Sequence, residues 1–288
     1  MEQFPLRSDV GAAPPAGLRY RRALEVIPAV TALLRARAII VGLVIRQVRS
    51  TYSQQVLGLA WALMTPLAQM LVFTVLLNRI PEKEGVDTHG VPAPLWLFVG
   101  LVAWSFFASA VQTGGTSLVG NPLLNKIYAP REVFPIAQVA SSLLNAFAQA
   151  LMLPILMLFT GHGISVTALW APIPLAILLV FSVAISLFVS AITVYARDLR
   201  SGLPLLLQLA MFLPGVLYPV SKLPVTWRGI YTALLPVGSM IDQLRNCFFY
   251  NQPPRASVIL IASVSSLVWL TAGFLFFKRL ETGFADVS

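Results

Sequence analysis

Charged residues in this sequence are clustered, and long apolar runs separate the clusters. A helix that crosses a bilayer needs about 20 consecutive apolar residues. The charge-free run over 133–196 is long enough for two such helices, and the turn Gly161-His162-Gly163 divides it. The pattern predicts an all-α polytopic membrane protein with six transmembrane helices, at about 53–78, 95–119, 134–159, 169–194, 202–218 and 256–277.

Residues 26–52 are also apolar, but Arg35, Arg37, Arg46 and Arg49 interrupt them. An arginine at the centre of a bilayer costs about 2.5 kcal/mol or more. The segment is therefore predicted to be an amphipathic helix at the cytoplasmic interface. A spanning helix is the alternative.

Residues 220–254 mix charges and prolines with an apolar stretch, 229–241, that is too short to cross a bilayer. We expect a re-entrant extracellular hairpin between the fifth and sixth transmembrane helices, with a surface helix as the alternative. The predicted organisation is a flexible cytoplasmic N-terminus over 1–25, the interfacial helix over 26–52 and a transmembrane domain over 53–288.

Composition agrees with a membrane protein. Hydrophobic residues make up 57% of the 288 positions and charged residues only 11%, and the mean hydropathy is +0.80. Soluble domains are typically about 25% charged, so lipid is expected to cover most of this surface. The single cysteine, Cys247, and the two histidines, His89 and His162, lie apart in the sequence, and we expect no metal site.

The basic residues predict the orientation of the chain. With the N-terminus inside, 14 Lys and Arg residues fall on the cytoplasmic side and 6 on the opposite side. Cytoplasmic flanks are typically basic, so both termini are predicted to be cytoplasmic, and the net charge of +9 need not indicate nucleic-acid binding. The predicted orientation depends mostly on the basic residues of segment 1–52. This segment shows no signal-peptide pattern.

Several functional classes are disfavoured. Ion-coupled carriers and polytopic enzymes place titratable groups at membrane depth, whereas the charges here lie in or beside loops. A P-loop needs Gly-Lys before Ser or Thr, and the four lysines follow Glu82, Asn125, Ser221 and Phe277. The chain is predicted to be a passive conduit whose nucleotide motor is a separate protein.

Six short segments stand out along the chain: RQVRSTYSQQVLGLAWALMTP (46–66), LWLFVGLVAWSFFASAV (95–111), NKIYAPREVFP (125–135), VYARDLRSGLP (194–204), FLPGVLYPVSKLP (212–224) and the tail Phe284-Ala285-Asp286. In this order they resemble ABC-2 type polysaccharide exporter permeases, the family that exports O-antigen, capsule and teichoic acid precursors. Two positions depart from the pattern of many members. Ala129 replaces an aromatic residue and Leu235 replaces asparagine, and both bear on substrate or coupling details.

The resemblance implies a homodimer of this chain in the bacterial cytoplasmic (inner) membrane, bound to two copies of an ABC ATPase subunit. It implies export of an undecaprenyl-linked glycan of O-antigen type, as in lipopolysaccharide biosynthesis. The chain itself would be non-catalytic and without a cofactor, because the partner binds ATP and Mg. The alternatives are an ABC-2 permease for a drug or another lipid and, more remotely, a membrane glycosyltransferase or acyltransferase.

The resemblance also indicates candidate site residues. The loop after the second helix would couple to the ATPase through Asn125, Lys126, Tyr128, Arg131 and Glu132; a solvated basic turn is the alternative. Arg46 and Arg49, with Tyr52, would attract the substrate pyrophosphate at the entry, since the planar guanidinium binds two oxygens; headgroup anchoring is the alternative.

Aromatic residues are candidates for a sugar-conducting channel. Sugars stack on aromatic rings, but Trp and Tyr are also common at the bilayer interface. The candidates are Trp61, Trp104, Phe106, Phe107 and Tyr218.

Overall fold

The computed structural model describes residues 36–52, 59–77, 88, 90–121, 129–161, 163, 165–213 and 215–281. Within these ranges the chain is helical and contains no strand. The helices are α1 (Arg37–Tyr52), α2 (Leu59–Leu77), α3 (Ala93–Gly115), α4 (Val133–Ala150), α5 (Met152–Thr160), α6 (Pro172–Tyr195), α7 (Leu199–Ala210), α8 (Val225–Leu234), α9 (Pro236–Phe249) and α10 (Ala256–Glu281). Short 3-10 turns at Val166–Trp170 and Val220–Lys222 precede α6 and α8.

Four helical segments of the described chain are long and apolar enough to cross a membrane. They are Ala93–Gly115, Val133–Thr160, Val166–Tyr195 and Ala256–Glu281, which match the predicted second, third, fourth and sixth transmembrane helices. The apolar part of α2 is shorter, and α7 has only 12 residues. The chain is a multi-pass membrane protein, and the number of six crossings stays a prediction.

Proline and glycine mark several helix boundaries. Pro94, Pro172 and Pro236 lie in the first turns of α3, α6 and α9, where the missing amide hydrogen would have no helical acceptor. The helix α5 ends at Thr160, and the next residue, Gly161, has a φ of 69° and forms a left-handed cap.

The helix α3 lies at the centre of the bundle and is buried along most of its length between α4 and α6. Small polar residues join it to both neighbours. The hydroxyl oxygens of Ser109 and Ser142 are 3.1 Å apart, and the hydroxyl of Ser186 donates to the Ala110 carbonyl oxygen at 2.9 Å. Such small residues let membrane helices approach closely.

The helix α10 packs along α6, and α9 lies inside the bundle. The rings of Phe188 and Phe276 stack at 4.4 Å between α6 and α10. Most residues of α9 are buried, and it contacts α3, α6 and α10. By contrast, α8 exposes most of its side chains.

The two ends of α10 mark two ends of the bundle, and each is named here after a charged residue near it. Lys278 lies in the last turns of α10, and Arg245 of α9 lies near the start of α10. At the Lys278 end, the last turn of α10 lies beside the start of α4 and the end of α6. At the Arg245 end, α9 meets the first turn of α3 and the turn over 215–220. The predicted flexible segment 1–25, and residues 26–35 of the predicted interfacial helix, lie outside the described residues.

Candidate functional site

A lysine between two carboxylates joins the helices at the Lys278 end. The Lys278 ammonium donates to Glu132 and to Glu281, each at 2.8 Å. Glu132 immediately precedes α4 and is only 1% exposed, although a buried carboxylate is costly without a partner. Lys278 supplies that partner, so the start of α4 is fastened to the end of α10.

Two further hydrogen bonds reinforce this end. The hydroxyl of Tyr195, the last residue of α6, donates to the Leu280 carbonyl oxygen at 2.8 Å. A guanidinium nitrogen of Arg131 lies 3.5 Å from the Glu281 carbonyl oxygen. Three helices therefore meet here, and Arg131 remains partly exposed beside them.

The predicted coupling residues divide into two groups. Asn125, Lys126 and Tyr128 lie outside the described residues. Arg131 and Glu132 lie directly after that loop, and Glu132 makes a buried ion pair within the chain. The pairing of Glu132 was not visible in the sequence, since Lys278 is 146 positions away.

The helix α1 lies against α4 near the same end. The Gln138 side chain donates to Gln47 at 3.2 Å, and Leu43 packs on a cluster that contains Phe134 and Phe277. Arg46 and Arg49, three positions apart, are both exposed on this helix. Tyr52 ends it, but its side chain is outside the described part of the chain.

At the opposite end, Arg245 occupies a socket made of backbone oxygens. Its guanidinium donates to the carbonyl oxygens of Trp96 (3.1 Å), Gly215 (2.6 Å) and Val216 (2.7 Å). The guanidinium carbon also lies 3.3 Å from the centre of the Trp96 ring, a cation–π contact. Arg245 is 1% exposed, so these partners replace its water shell.

Asp242 completes the socket and links it to the next turn of the chain. One carboxylate oxygen accepts from Arg245 at 3.0 Å, and the other accepts from the Val220 amide at 2.7 Å. Burial raises the pKa of the Asp242 carboxyl, while Arg245 and the Val220 amide oppose that shift. The pair therefore fastens α9 to both ends of the turn over 215–220.

Glycine makes room for the socket. A side chain at Gly100 would collide with the Arg245 guanidinium, and one at Gly215 would collide with the backbone of Gly238. Gly215 also has a φ of +111°, which other residues rarely adopt. The backbone of α3 and of the turn is thus shaped around Arg245 and α9.

Hydroxyl groups tie α8 to its neighbours. The hydroxyls of Thr232 and Ser239 are 2.7 Å apart and bridge α8 to α9. Ser265 of α10 donates to the Ala233 carbonyl oxygen. The break between α8 and α9 lies at Leu235, whose extended φ of −136° precedes Pro236.

The candidate channel aromatics mostly lie inside the chain. Trp104, Phe106 and Phe107 are at most 5% exposed. The Phe107 ring lies 5.4 Å from that of Trp104 and stacks on Phe181 at 5.7 Å. A channel role for this group stays a prediction. Tyr218 is partly buried in the turn before α8, and the side chain of Trp61 is not among those that the structure describes.

Sequence reasoning missed the Arg245 socket. It placed Arg245 among the charges of the outer side, because the carbonyl acceptors carry no signature in the sequence. The one available signal was the spacing of Asp242 and Arg245, an acid–base pair at i, i+3 within the predicted hairpin.

Comparison with known proteins places the chain among transporters. The ABC-2 type transporter family matches residues 40–249. An O-antigen export system permease protein, RfbA, of Myxococcus xanthus is 30% identical over 261 residues, which is 88% of this chain and 96% of that protein. The RfbA of Klebsiella pneumoniae is 23% identical over 84% of this chain and 92% of its own length. A polysialic acid transport protein, KpsM, of Escherichia coli is 22% identical over 83% of this chain and 92% of its own length.

Proposed function

The chain belongs to the ABC-2 type transporter family, and we propose that it is the membrane-spanning permease subunit of an ATP-driven polysaccharide exporter. One observation carries this proposal. Relatives named for O-antigen export and for polysialic acid transport align with more than four fifths of this chain, and with more than nine tenths of their own lengths. The shared cargo class is a polysaccharide.

The proposed cargo is a lipid-linked glycan of O-antigen type, moved across the bacterial cytoplasmic membrane. Both termini would lie in the cytoplasm, so the Lys278 end faces the cytoplasm and the Arg245 end faces outward. The two exposed arginines of α1, Arg46 and Arg49, support an entry at this inner end. Their guanidinium groups can bind a pyrophosphate through paired oxygens.

The proposed motor is an ABC ATPase on a separate subunit, in two copies bound to a homodimer of this chain. Coupling would enter through the loop that contains Asn125, Lys126 and Tyr128 and then reach Arg131 and Glu132. The ion pair between Glu132 and Lys278 supports this route, since it connects the end of the loop to α10. A push on the loop would therefore move α4 and α10 together.

The hairpin of α8 and α9 is proposed to re-enter the membrane from outside and to close the exit. Burial of α9 between α3, α6 and α10 supports re-entry. The helix α8 would then be the part that moves, because most of its side chains are exposed and only hydroxyl groups are seen to join it to α9 and α10 by side-chain hydrogen bonds. The guanidinium of Arg228 holds its first turn to the segment just before it.

Deletion and complementation in the native host would test the function. Loss of this chain should abolish surface glycan while lipid-linked glycan accumulates inside, and the intact chain should restore export. A partner ATPase without its P-loop lysine should give the same block as the deletion. Normal surface glycan in the deletion strain, or export that persists with the inactive ATPase, would contradict the proposal.

A further inference from the structure

A polar cavity of about 900 Å³ opens at the Arg245 end. The turn at 219–222, α8, α9 and the start of α10 form its wall. Sites for small ligands typically measure about 300–1,000 Å³, so the cavity is large enough for part of a sugar chain. Most of the side chains that line it are polar.

The wall of this cavity is positively charged. Among the lining residues that the structure describes, four side chains are cationic and one, Asp242, is a carboxylate. Both oxygens of Asp242 already accept hydrogen bonds, from Arg245 and from the Val220 amide. The described part of the wall therefore presents more positive than negative charge to an anion in the cavity; its cationic residues are Lys222, Arg228, Arg245 and Arg255.

One of these cations is held in place by the backbone. The Arg228 guanidinium donates to the carbonyl oxygens of Leu223 (2.8 Å) and Ser221 (2.5 Å). Backbone carbonyls carry no net charge, so these contacts orient the arginine without cancelling its charge. The site is thus partly organised before a ligand arrives, which lowers the entropy lost on binding.

Neutral groups of the wall suit a carbohydrate. The amides of Asn246 and Gln252 line the cavity together with the rings of Trp96 and Tyr250. Amides bond to sugar hydroxyls, and aromatic rings pack on the apolar faces of sugars. We infer that this cavity binds the acidic groups, carboxylate or phosphate, of the glycan that leaves the exporter. The inference rests on the proposed function and adds that the exported glycan is anionic.

A phospholipid headgroup would share the phosphate chemistry, but it would bring acyl chains. Those chains pack on apolar side chains, and the apolar cavity of the described chain is a separate one of only about 80 Å³. It lies between α3, α4, α5, α6 and α9, and its lining includes Phe98, Phe106, Phe147 and Leu153. The mainly polar wall of the outer cavity therefore favours a glycan.

The test is a binding measurement on the permease–ATPase complex in phosphatidylcholine nanodiscs. The probes are tetragalacturonate, which has four carboxylates, and maltotetraose, a neutral sugar of equal length. The test variant is Lys222→Gln/Arg255→Gln, and the matched control is Lys222→Arg/Arg255→Lys, which keeps both charges. Arg228 and Arg245 are left unchanged because both bind backbone oxygens.

We expect the wild-type complex to bind tetragalacturonate more tightly than maltotetraose, with an affinity that falls as salt rises. The glutamine variant should bind tetragalacturonate about threefold to tenfold more weakly, and the control variant should bind it as the wild type does. Equal affinity for the two probes, or an unchanged affinity in the glutamine variant, would overturn the inference. The salt dependence of the wild-type affinity also tests whether charge attracts tetragalacturonate, and it needs no variant.

Lipid binding is a separate outcome of the same measurement. Two results together would identify a headgroup site. Phosphatidylglycerol nanodiscs would abolish tetragalacturonate binding, and the glutamine variant would lose phosphatidylglycerol that the wild type retains. The inference would then be wrong. The proposed export function is tested independently, by measuring surface glycan in cells. A failed binding test beside normal export would reject only the inference.

Discussion

The two ends of the bundle hold their buried charges in different ways. At the Arg245 end, one guanidinium binds three backbone carbonyl oxygens, a carboxylate and an aromatic ring. At the Lys278 end, one ammonium binds two carboxylates and remains partly exposed. The 26 residues of α10 separate the two ends by roughly 40 Å, at about 1.5 Å per residue.

The difference concerns how freely each end can rearrange. Backbone acceptors are fixed by the fold, and a planar guanidinium matches only one arrangement of them. An ammonium on a flexible stem accepts many arrangements of carboxylates. We therefore expect the Arg245 socket to move as one rigid body, and the Lys278 end to shift when an ATPase pushes on it.

The largest effect is expected from Arg245→Met. The change leaves Asp242 and three carbonyl oxygens without their donor inside the protein, and removal of one partner from a buried ion pair costs about 3–5 kcal/mol. Thermal unfolding in detergent should show this loss, and surface glycan should disappear. The control is Arg255→Gln at an exposed position, which should leave the unfolding temperature unchanged. A stable, export-competent Arg245→Met protein would show that the socket is dispensable.

A smaller effect is expected from Glu132→Gln. Lys278 keeps Glu281 as a partner, so the loss is one charged hydrogen bond, about 1.5–3 kcal/mol. Unfolding in detergent measures this loss, with Glu281→Gln, the more exposed partner, as the milder matched variant. If Glu132→Gln destabilised the protein more than Arg245→Met does, the ranking of the two ends would be reversed.

Arg131→Glu should affect coupling rather than stability. The side chain is partly exposed and gives up one long hydrogen bond to the Glu281 carbonyl oxygen, so the free energy of unfolding should fall by only about 1 kcal/mol. A reversed charge beside the coupling loop should lower export while ATP hydrolysis continues. Both rates can be measured on the reconstituted complex, with Arg131→Lys as the charge-keeping control. Normal export by Arg131→Glu would remove Arg131 from the coupling route.

The smallest effect concerns the pair of Lys278 and Glu281. A double-mutant cycle should give a coupling energy below about 1 kcal/mol, because the pair is partly exposed and lies within one helix. Salt should lower this energy further. The corresponding cycle for Asp242 and Arg245 should be larger and insensitive to salt. Equal salt dependence of the two cycles would contradict the contrast between the ends.

Long charge-free runs made much of the fold predictable. The expected helices at 134–159 and 169–194 agree closely with Val133–Thr160 and Val166–Tyr195. A long run without charges is most stable in the bilayer core, where it has to be helical. The fifth predicted helix, at 202–218, fits less well. The helix α7 begins at Leu199 and ends at Ala210, since the residues near Gly215 form the turn that receives Arg245.

The candidate site was less predictable because its contacts are distant in sequence. Arg245 lies 29 to 149 positions from the carbonyl oxygens that it binds, and Lys278 lies 146 positions from Glu132. Carbonyl groups occur at every residue, so no residue pattern marks the ones that form a socket. The aromatic residues illustrate the converse: Phe107 is conspicuous in the sequence, yet it packs inside the chain.

The burial of Cys247 has a practical consequence for spectroscopy and labelling. It is the chain's single cysteine, it is 0% exposed, and burial raises the pKa of its thiol to about 11. Since maleimides react with the thiolate form, the natural protein is close to silent toward them. Fluorophores or spin labels can therefore be attached at single introduced cysteines without first removing the native one, which leaves the packing of α9 intact while its movements are followed.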